Sequence, residues 1–253
     1  MADRFSGTVV IVTGAGSGIG AATAQRFAAE GAHVYLTGRT RERLEQIAVT
    51  LPAGSSTVMV ADSADFDQIS AVVDHAVREQ GGLDVLVNNA GVLSQSTLED
   101  TSLDEWKRVL DVDLTGTFHG MKAALPHLIS RKGSIVNVTS VSGLGGDWGM
   151  VAYNAAKGGA TNLTRAAALD HGAQGVRINA VAPSFTITDM TSGMADDPDT
   201  VASMAERIAL GRGAQPEEVA AVICFLASSD ASFVNGAIVP VDGGLTASNG
   251  QPR

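Results

Sequence analysis

The chain has 253 residues, 45% of them hydrophobic and 17% charged, which suits one large folded domain and excludes a disordered chain. A formal net charge of -10 argues against a nucleic-acid partner, since such binders carry a basic face. The one cysteine, Cys224, excludes an intramolecular disulfide and reads as a small buried apolar residue in an apolar run.

The first five residues do not read as a signal or transit peptide, and no apolar run nears the roughly 20 residues of a membrane span. A cytoplasmic protein with no membrane or nucleic-acid partner is expected. Residues 8–12, TVVIV, form a β-branched run, the pattern of a strand buried on both faces. The stretch 13–20, TGAGSGIG, follows at once, then a predicted helix over 21–30 closed by Gly31. A second strand is predicted over 33–37, a charged helix over 41–51 stopped by Pro52, and a third strand over 56–61 ending at Asp62. The next helix, 67–80, sets Ile69, Val72, Val73, Ala76 and Val77 at helical spacing. Strand 85–87 runs into Asn88-Asn89-Ala90-Gly91, and one long helix or two fill 103–128, with Pro126 near the end. Strand 134–139 ends at Ser140, and an alanine-rich helix covers 153–171. After a strand over 177–181 comes a polar, methionine-bearing stretch, 184–212. A helix over 216–227 and a strand over 237–241 complete the pattern.

This alternation predicts right-handed βαβ units in an α/β fold. The expected form is a doubly wound, Rossmann-like parallel sheet of about seven strands with helices on both faces, as a single domain over 1–253. Ligands of such sheets bind beyond the carboxyl ends of the strands. Residues 14–20, Asp62, 88–91, Ser140 and Pro183 all follow directly on predicted strands, so five loops meet at one sheet edge.

A glycine-rich turn between a strand and a helix presents backbone N–H groups and the helix amino terminus to a phosphate. Glycines let a pyrophosphate approach the backbone. A bare tight turn would look the same, but a P-loop is disfavoured because no Gly-Lys-Ser/Thr follows. Tyr153 and Lys157, four apart on a predicted helix, share a face. A phenol titrating near 10 is a poor base at neutral pH, and a nearby ammonium favours the phenolate. With Ser140, such a pair can move a proton on and off an alcohol or carbonyl oxygen. The pair alone also fits a solvated helix face.

Taken together, TGAGSGIG at 13–20, NNAG at 88–91, Ser140, YNAAK at 153–157, the 182–188 run, LGRGAQPEEVA at 210–220 and VDGG at 241–244 resemble the single-domain short-chain dehydrogenase/reductases over nearly the whole chain. The resemblance implies interconversion of a ketone or aldehyde with an alcohol by hydride transfer, with a nicotinamide cofactor. On it, Gly14, Ser17, Gly18, Ile19 and Gly20 cradle the dinucleotide. Asp62 and Ser63 stand by the adenine, and Asn89, Ala90 and Gly91 by the ribose. Pro183, Thr186, Ile187 and Thr188 hold the carboxamide. Tyr153 is the general acid or base, Ser140 binds the substrate oxygen, and Lys157 lowers the tyrosine pKa and binds the ribose. No metal is implied. Relatives are commonly homotetramers built on the helices around 110–128 and 153–171, although the alanines of the second could equally pack on their own sheet.

Cofactor choice turns on the end of the second strand, where a carboxylate would bind the ribose 2′-OH of NAD. Gly38 stands there, followed by Arg39, which can pair a 2′-phosphate. NADP(H) is therefore expected over NAD(H), although Ser17 stands where NADP-using relatives often carry a basic residue, and Arg39 also fits the start of a charged helix. Two positions depart from the family. Asp113 replaces a usual Asn, the fourth catalytic residue, and is expected to raise the pKa of Lys157 and Tyr153. Ser184 replaces a usual glycine. If Asp113 impairs turnover, the alternative is a nucleotide-binding regulatory protein on the same fold. An enoyl reductase or epimerase fits less well.

Leu93, Ser142, Leu144, Trp148, Met150, Phe185, Met190 and Met194 are expected around a medium-sized hydrophobic ketone or secondary alcohol, although core packing accounts for each equally well. Asp147 fits a polar substrate contact or an exposed loop carboxylate. Gly143, Gly145, Gly146 and Gly149 suggest a mobile rim, and 188–212 a lid.

Overall fold

In this computed structural model, residues 3–195 and 198–248 are described. Seven strands form one all-parallel sheet in the order β3-β2-β1-β4-β5-β6-β7. They are β1 (Val9–Thr13), β2 (His33–Gly38), β3 (Ser56–Val60), β4 (Val85–Asn88), β5 (Ser134–Val138), β6 (Arg177–Pro183) and β7 (Ile238–Val241). The order reverses between β1 and β4, so the loops after these two strands diverge and leave a crevice.

Strand alternation divides the core into two layers. Val10 and Val12 of β1 face a cluster with Phe27 of α1 (Gly18–Ala29), Leu44 of α2 (Arg41–Ala48) and Ile223 of α9 (Pro216–Ala227). Val9 and Ile11 face the other way. They meet Val72 of α3 (Phe66–Gln80), Leu128 of α5 (Gly116–Arg131) and Ala168 of α6 (Val151–His171). Cys224 lies in the first layer, fully buried, and burial pushes its thiol up to about 12. Residue types at the termini explain several bounds. The Asp65 side chain caps α3, which ends at Gly81 with φ 76°. Pro216 opens α9, where Glu218 reaches back to the Gln215 N–H.

Two stretches hold more than the pattern predicts. The 103–128 stretch, expected as one long helix or two, is two, α4 (Leu103–Leu110) and α5, joined by a π-helical turn, Asp111–Thr115. The Gly116 N–H reaches back to the Asp111 carbonyl, and the widened turn holds Asp113 fully buried. The 184–212 stretch contains two helices, α7 (Ser192–Ala195) and α8 (Pro198–Arg207). Positions 196 and 197 of the expected lid, and the Met194 side chain, lie outside what is described. Four alanines of α6 are buried within the chain, Ala152 and Ala156 packing with Val109 and Ala168 joining the second layer, while Ala155 and Ala166 are exposed.

Candidate active site

The loop after β1 is pinned by its neighbours. The Thr13 hydroxyl accepts the N–H groups of Asn89 (2.9 Å) and Ala90 (3.0 Å), and the Asn89 amide donates to the carbonyls of Thr13 and Gly14. No side chain fits at Gly20, where a Cβ would stand 2.2 Å from the Gly14 carbonyl oxygen. Ser17 precedes α1 without capping it, so the first N–H groups of the helix have no side-chain partner. These donors open on a groove of about 650 Å³.

Gly14, Ser17, Gly18, Ile19 and Arg39 line one end of the groove, with Asn89, Ala90 and Gly91 along its floor. Pro183, Thr186 and Thr188 form the facing wall, where Thr188 closes on Gly18. Asp113, Ser140, Tyr153 and Lys157 stand at the other end. Sequence reasoning left out Val92, Asp189 and Thr191, which also line it, and Thr13, the last residue of β1, which ties two of its loops; Thr139, read there as a polar loop residue, lines it too and stands directly after β5. Arg43 was read only as helix surface. It lines the groove and meets Asp189 across it at 3.3 Å.

Other expected residues lie outside the lining. Asp62 and Ser63 sit one loop away, with Asp62 accepting the Ala64 N–H and Ser63 buried against Gly116. Ile187 is bound through its N–H to the Ala214 carbonyl. Phe185 turns its ring onto Gly213, because the 186–214 bridge folds that segment back. Leu144 is exposed, and Trp148 projects into solvent at 93% exposure. Ser142 stands behind Ser140 and is buried. Gly143 is no rim hinge: a Cβ there would meet the Lys157 carbonyl at 2.6 Å.

Helix α6 carries Tyr153 and Lys157 on the face toward β5, and the Lys157 ammonium lies 5.6 Å from the Tyr153 ring centre. It donates to the Val138 carbonyl at 3.1 Å and lies 3.2 Å from the Asp113 carboxylate, off the hydrogen-bond axis. The other Asp113 oxygen accepts the Val92 N–H at 2.8 Å. Burial raises the Asp113 carboxyl, and Lys157 opposes it. Burial would lower Lys157, but Asp113 carries it above its ordinary value. The Tyr153 phenol, hydrogen-bonded to Ser140, is also raised: burial outweighs Lys157, and Asp113 adds to burial. The expected upward pull of Asp113 on both groups is present. Lys157 lowers the phenol as expected but does not bring it below its ordinary value.

The free donors at α1 and the glycines that no side chain can replace fit a dinucleotide pyrophosphate, and Arg39, with no ion pair among the described residues, fits its adenosine end. Among the described residues no His, Cys, Asp and Glu cluster could hold a metal, and no helix is long and apolar enough to cross a membrane.

A family model described as enoyl-(acyl carrier protein) reductase matches residues 14–246. The chain is 52% identical to meso-2,3-butanediol dehydrogenase of Serratia marcescens, over 99% of both chains. It is 45% identical to cis-4-hydroxycyclohexanecarboxylate dehydrogenase of Sinomonas cyclohexanicum, over 98% of this chain and 100% of the relative. The crystal structure of levodione reductase superposes with a TM-score of 0.93 at 36% identity, covering 97% of this chain and 100% of that one. With this sheet order, this groove and these relatives, the chain belongs to the short-chain dehydrogenase/reductases, the nicotinamide-dependent oxidoreductases of alcohols and ketones.

Proposed function

We propose that the protein interconverts a secondary alcohol and its ketone, with Tyr153 as the general acid and base. The observation that carries this is the convergence of Ser140, Tyr153 and Lys157 at one end of a groove whose other end offers free helix N–H groups. When bound, the nicotinamide supplies or takes up the hydride. Gly14, Ser17, Gly18 and Ile19 hold its pyrophosphate, Asn89, Ala90 and Gly91 its ribose, and Pro183, Thr186 and Thr188 its carboxamide. Tyr153 gives its proton to the carbonyl oxygen in reduction and takes the alcohol proton in oxidation. Ser140 holds that oxygen, and Lys157, fixed by Val138 and Asp113, keeps a positive charge beside the phenol. A small secondary alcohol, vicinal diols included, is the substrate class, supported by the butanediol and hydroxycyclohexane relatives.

NADP(H) is favoured over NAD(H) on Gly38 and on Arg39, which has no acidic partner among the described residues, with Arg43 as a second cation on the same groove. We expect kcat/KM for NADPH to exceed that for NADH; a clear NADH preference would overturn this. Tyr153→Phe should lower kcat by about 10³ while cofactor binding stays within about twofold, the signature of a lost proton donor. The assay uses meso-2,3-butanediol and acetoin, a cyclic secondary alcohol and its ketone, and a 2-enoyl thioester. Turnover of the thioester alone would favour an enoyl reductase. Cofactor binding without turnover of any of them would favour the regulatory reading, whose support is Asp113. A cytoplasmic homotetramer is the expected form: Phe118 on α5 and Leu103 on α4 leave apolar surface uncovered, and light scattering on the purified protein tests the state.

A further inference from the structure

Arg39, Arg41 and Arg43 stand around the start of α2, and their charges are used differently. Among the described residues Arg39 has no acidic partner, and Arg41 pairs along its own helix with Glu45 at 3.5 Å. Arg43 pairs with an acid from the opposite wall of the groove, Asp189, at 3.3 Å.

The backbone on both sides sets this pair. The first turn of α2 packs on the glycine loop: a Cβ at Gly16 would stand 3.1 Å from the Arg43 Cβ, and Leu44 lies beside both Gly16 and Gly38. Arg43 therefore leaves its helix close to Gly38, the place where an acid would bind the ribose 2′-OH. On the other wall, Thr188 closes on Gly18, and Asp189 follows it. The turn Asp189–Thr191 is tied down without help from Arg43. The Thr188 N–H donates to the Thr191 hydroxyl at 3.0 Å, and that hydroxyl donates to the Thr186 carbonyl at 2.6 Å. The ion pair thus spans the glycine loop, from the Gly16 side to the Gly18 side.

We propose that Asp189 is a positioning residue that sets cofactor selectivity by holding the Arg43 guanidinium, so that a 2′-phosphate must compete with a protein carboxylate for that cation. This deepens the NADP(H) reading above and rests on it. A phosphate monoester carries about two negative charges near neutral pH and takes an arginine bidentately. A 2′-hydroxyl makes no such demand, so NADH binds without drawing on Arg43. Both side chains are more than half exposed, which puts the pair among the weak ones. Asp189→Asn keeps the shape of the side chain and removes the competing charge.

The test is the ratio of the Kd values for NADH and NADPH. It is read from the fluorescence of the reduced nicotinamide with no substrate present, so it needs no turnover. The pyrophosphate is common to both cofactors, so a general gain from a lost negative charge cancels in the ratio. Asp189→Asn should move the ratio toward NADPH by about threefold, the scale of an exposed ion pair. Arg43→Gln should move it toward NADH. With Arg43→Gln already in place, adding Asp189→Asn should move it by less than about 1.5-fold, because the residue it acts through is gone. A ratio unchanged in either single variant would overturn the inference. So would a full shift on Asp189→Asn in the Arg43→Gln background, since the carboxylate would then act on the phosphate directly. A parent protein that binds NADH more tightly would overturn the NADP(H) assignment instead, and the shift on Asp189→Asn would still decide this point.

Discussion

Two hollows lie at opposite ends of the same sheet, and only one of them is the candidate site. At the amino ends of the strands, a cavity of about 750 Å³ is lined by Arg4, Asp84, Arg131 and Arg177; the groove at the carboxyl ends is about 650 Å³. The difference is in how the polar groups are used. Arg177 donates to the carbonyls of Leu226, Ala227, Ser228 and Ala231, and so closes the end of α9. Arg4 pairs with Glu30 at 2.7 Å, and Arg131 donates to the Gly81 carbonyl. In the groove, by contrast, among the described residues the donors at α1 have no side-chain partner and Arg39 has no acid. Unspent donors, rather than volume, mark the binding end.

The largest effect that would sharpen this contrast is expected at Gly20. Gly20→Ala sets a methyl 2.2 Å from the Gly14 carbonyl, so the turn must open and the α1 donors must leave their positions. We expect a loss of about 3 kcal/mol in stability, as for other forced overpacking, with cofactor affinity falling at least tenfold. Thermal melts and cofactor titration measure the two. Unchanged binding in a folded variant would mean that the loop is not the cradle. At the other end, Arg177→Met removes four hydrogen bonds to carbonyls and should cost about 2–4 kcal/mol, with KM and kcat unaltered at a temperature where the variant is folded. A change in KM there would break the division between a structural end and a binding end.

The same division explains what the sequence made legible. Strands β1, β4 and β5 are apolar on both faces, and α3 repeats Ile69, Val72, Val73 and Ala76 at helical spacing, so their places follow from pattern alone. The loops that carry Gly14, Asn89 and Ser140 were found because each follows such a strand, and Tyr153 because it lies with Lys157 on a predicted helix. What was missed depends on backbone detail that residue type does not encode. Nothing in Asp111–Thr115 distinguishes a π turn from an ordinary one, yet that turn buries Asp113. Gly143 reads as flexible but is required by contact with the Lys157 carbonyl, while Gly145 and Gly146 meet nothing. Trp148 and Phe185 are apolar and near the site in sequence, but one points to solvent and the other onto Gly213. The Arg43–Asp189 pair joins residues 146 positions apart, and neither residue type marks the other, so only coordinates show it.

The smallest expected effect is at Asp113, where the two kinds of polar group meet: a buried, paired charge inside the binding end. Its carboxylate carries Lys157 upward and adds to the raised Tyr153. Oxidation of an alcohol needs the tyrosine deprotonated, so its rate rises with pH through the Tyr153 titration. Asp113→Asn keeps an oxygen for the Val92 N–H and removes the charge, which lowers Tyr153 and Lys157 alike, so the phenolate forms at lower pH. The rising limb of kcat/KM for oxidation should therefore move toward lower pH, with the plateau within about twofold. In reduction the tyrosine must carry its proton, so the falling limb should move the same way. Coincident profiles for parent and variant would mean that the Asp113 charge does not reach the reaction, and that the carboxylate serves only to hold Val92 and Lys157 in place.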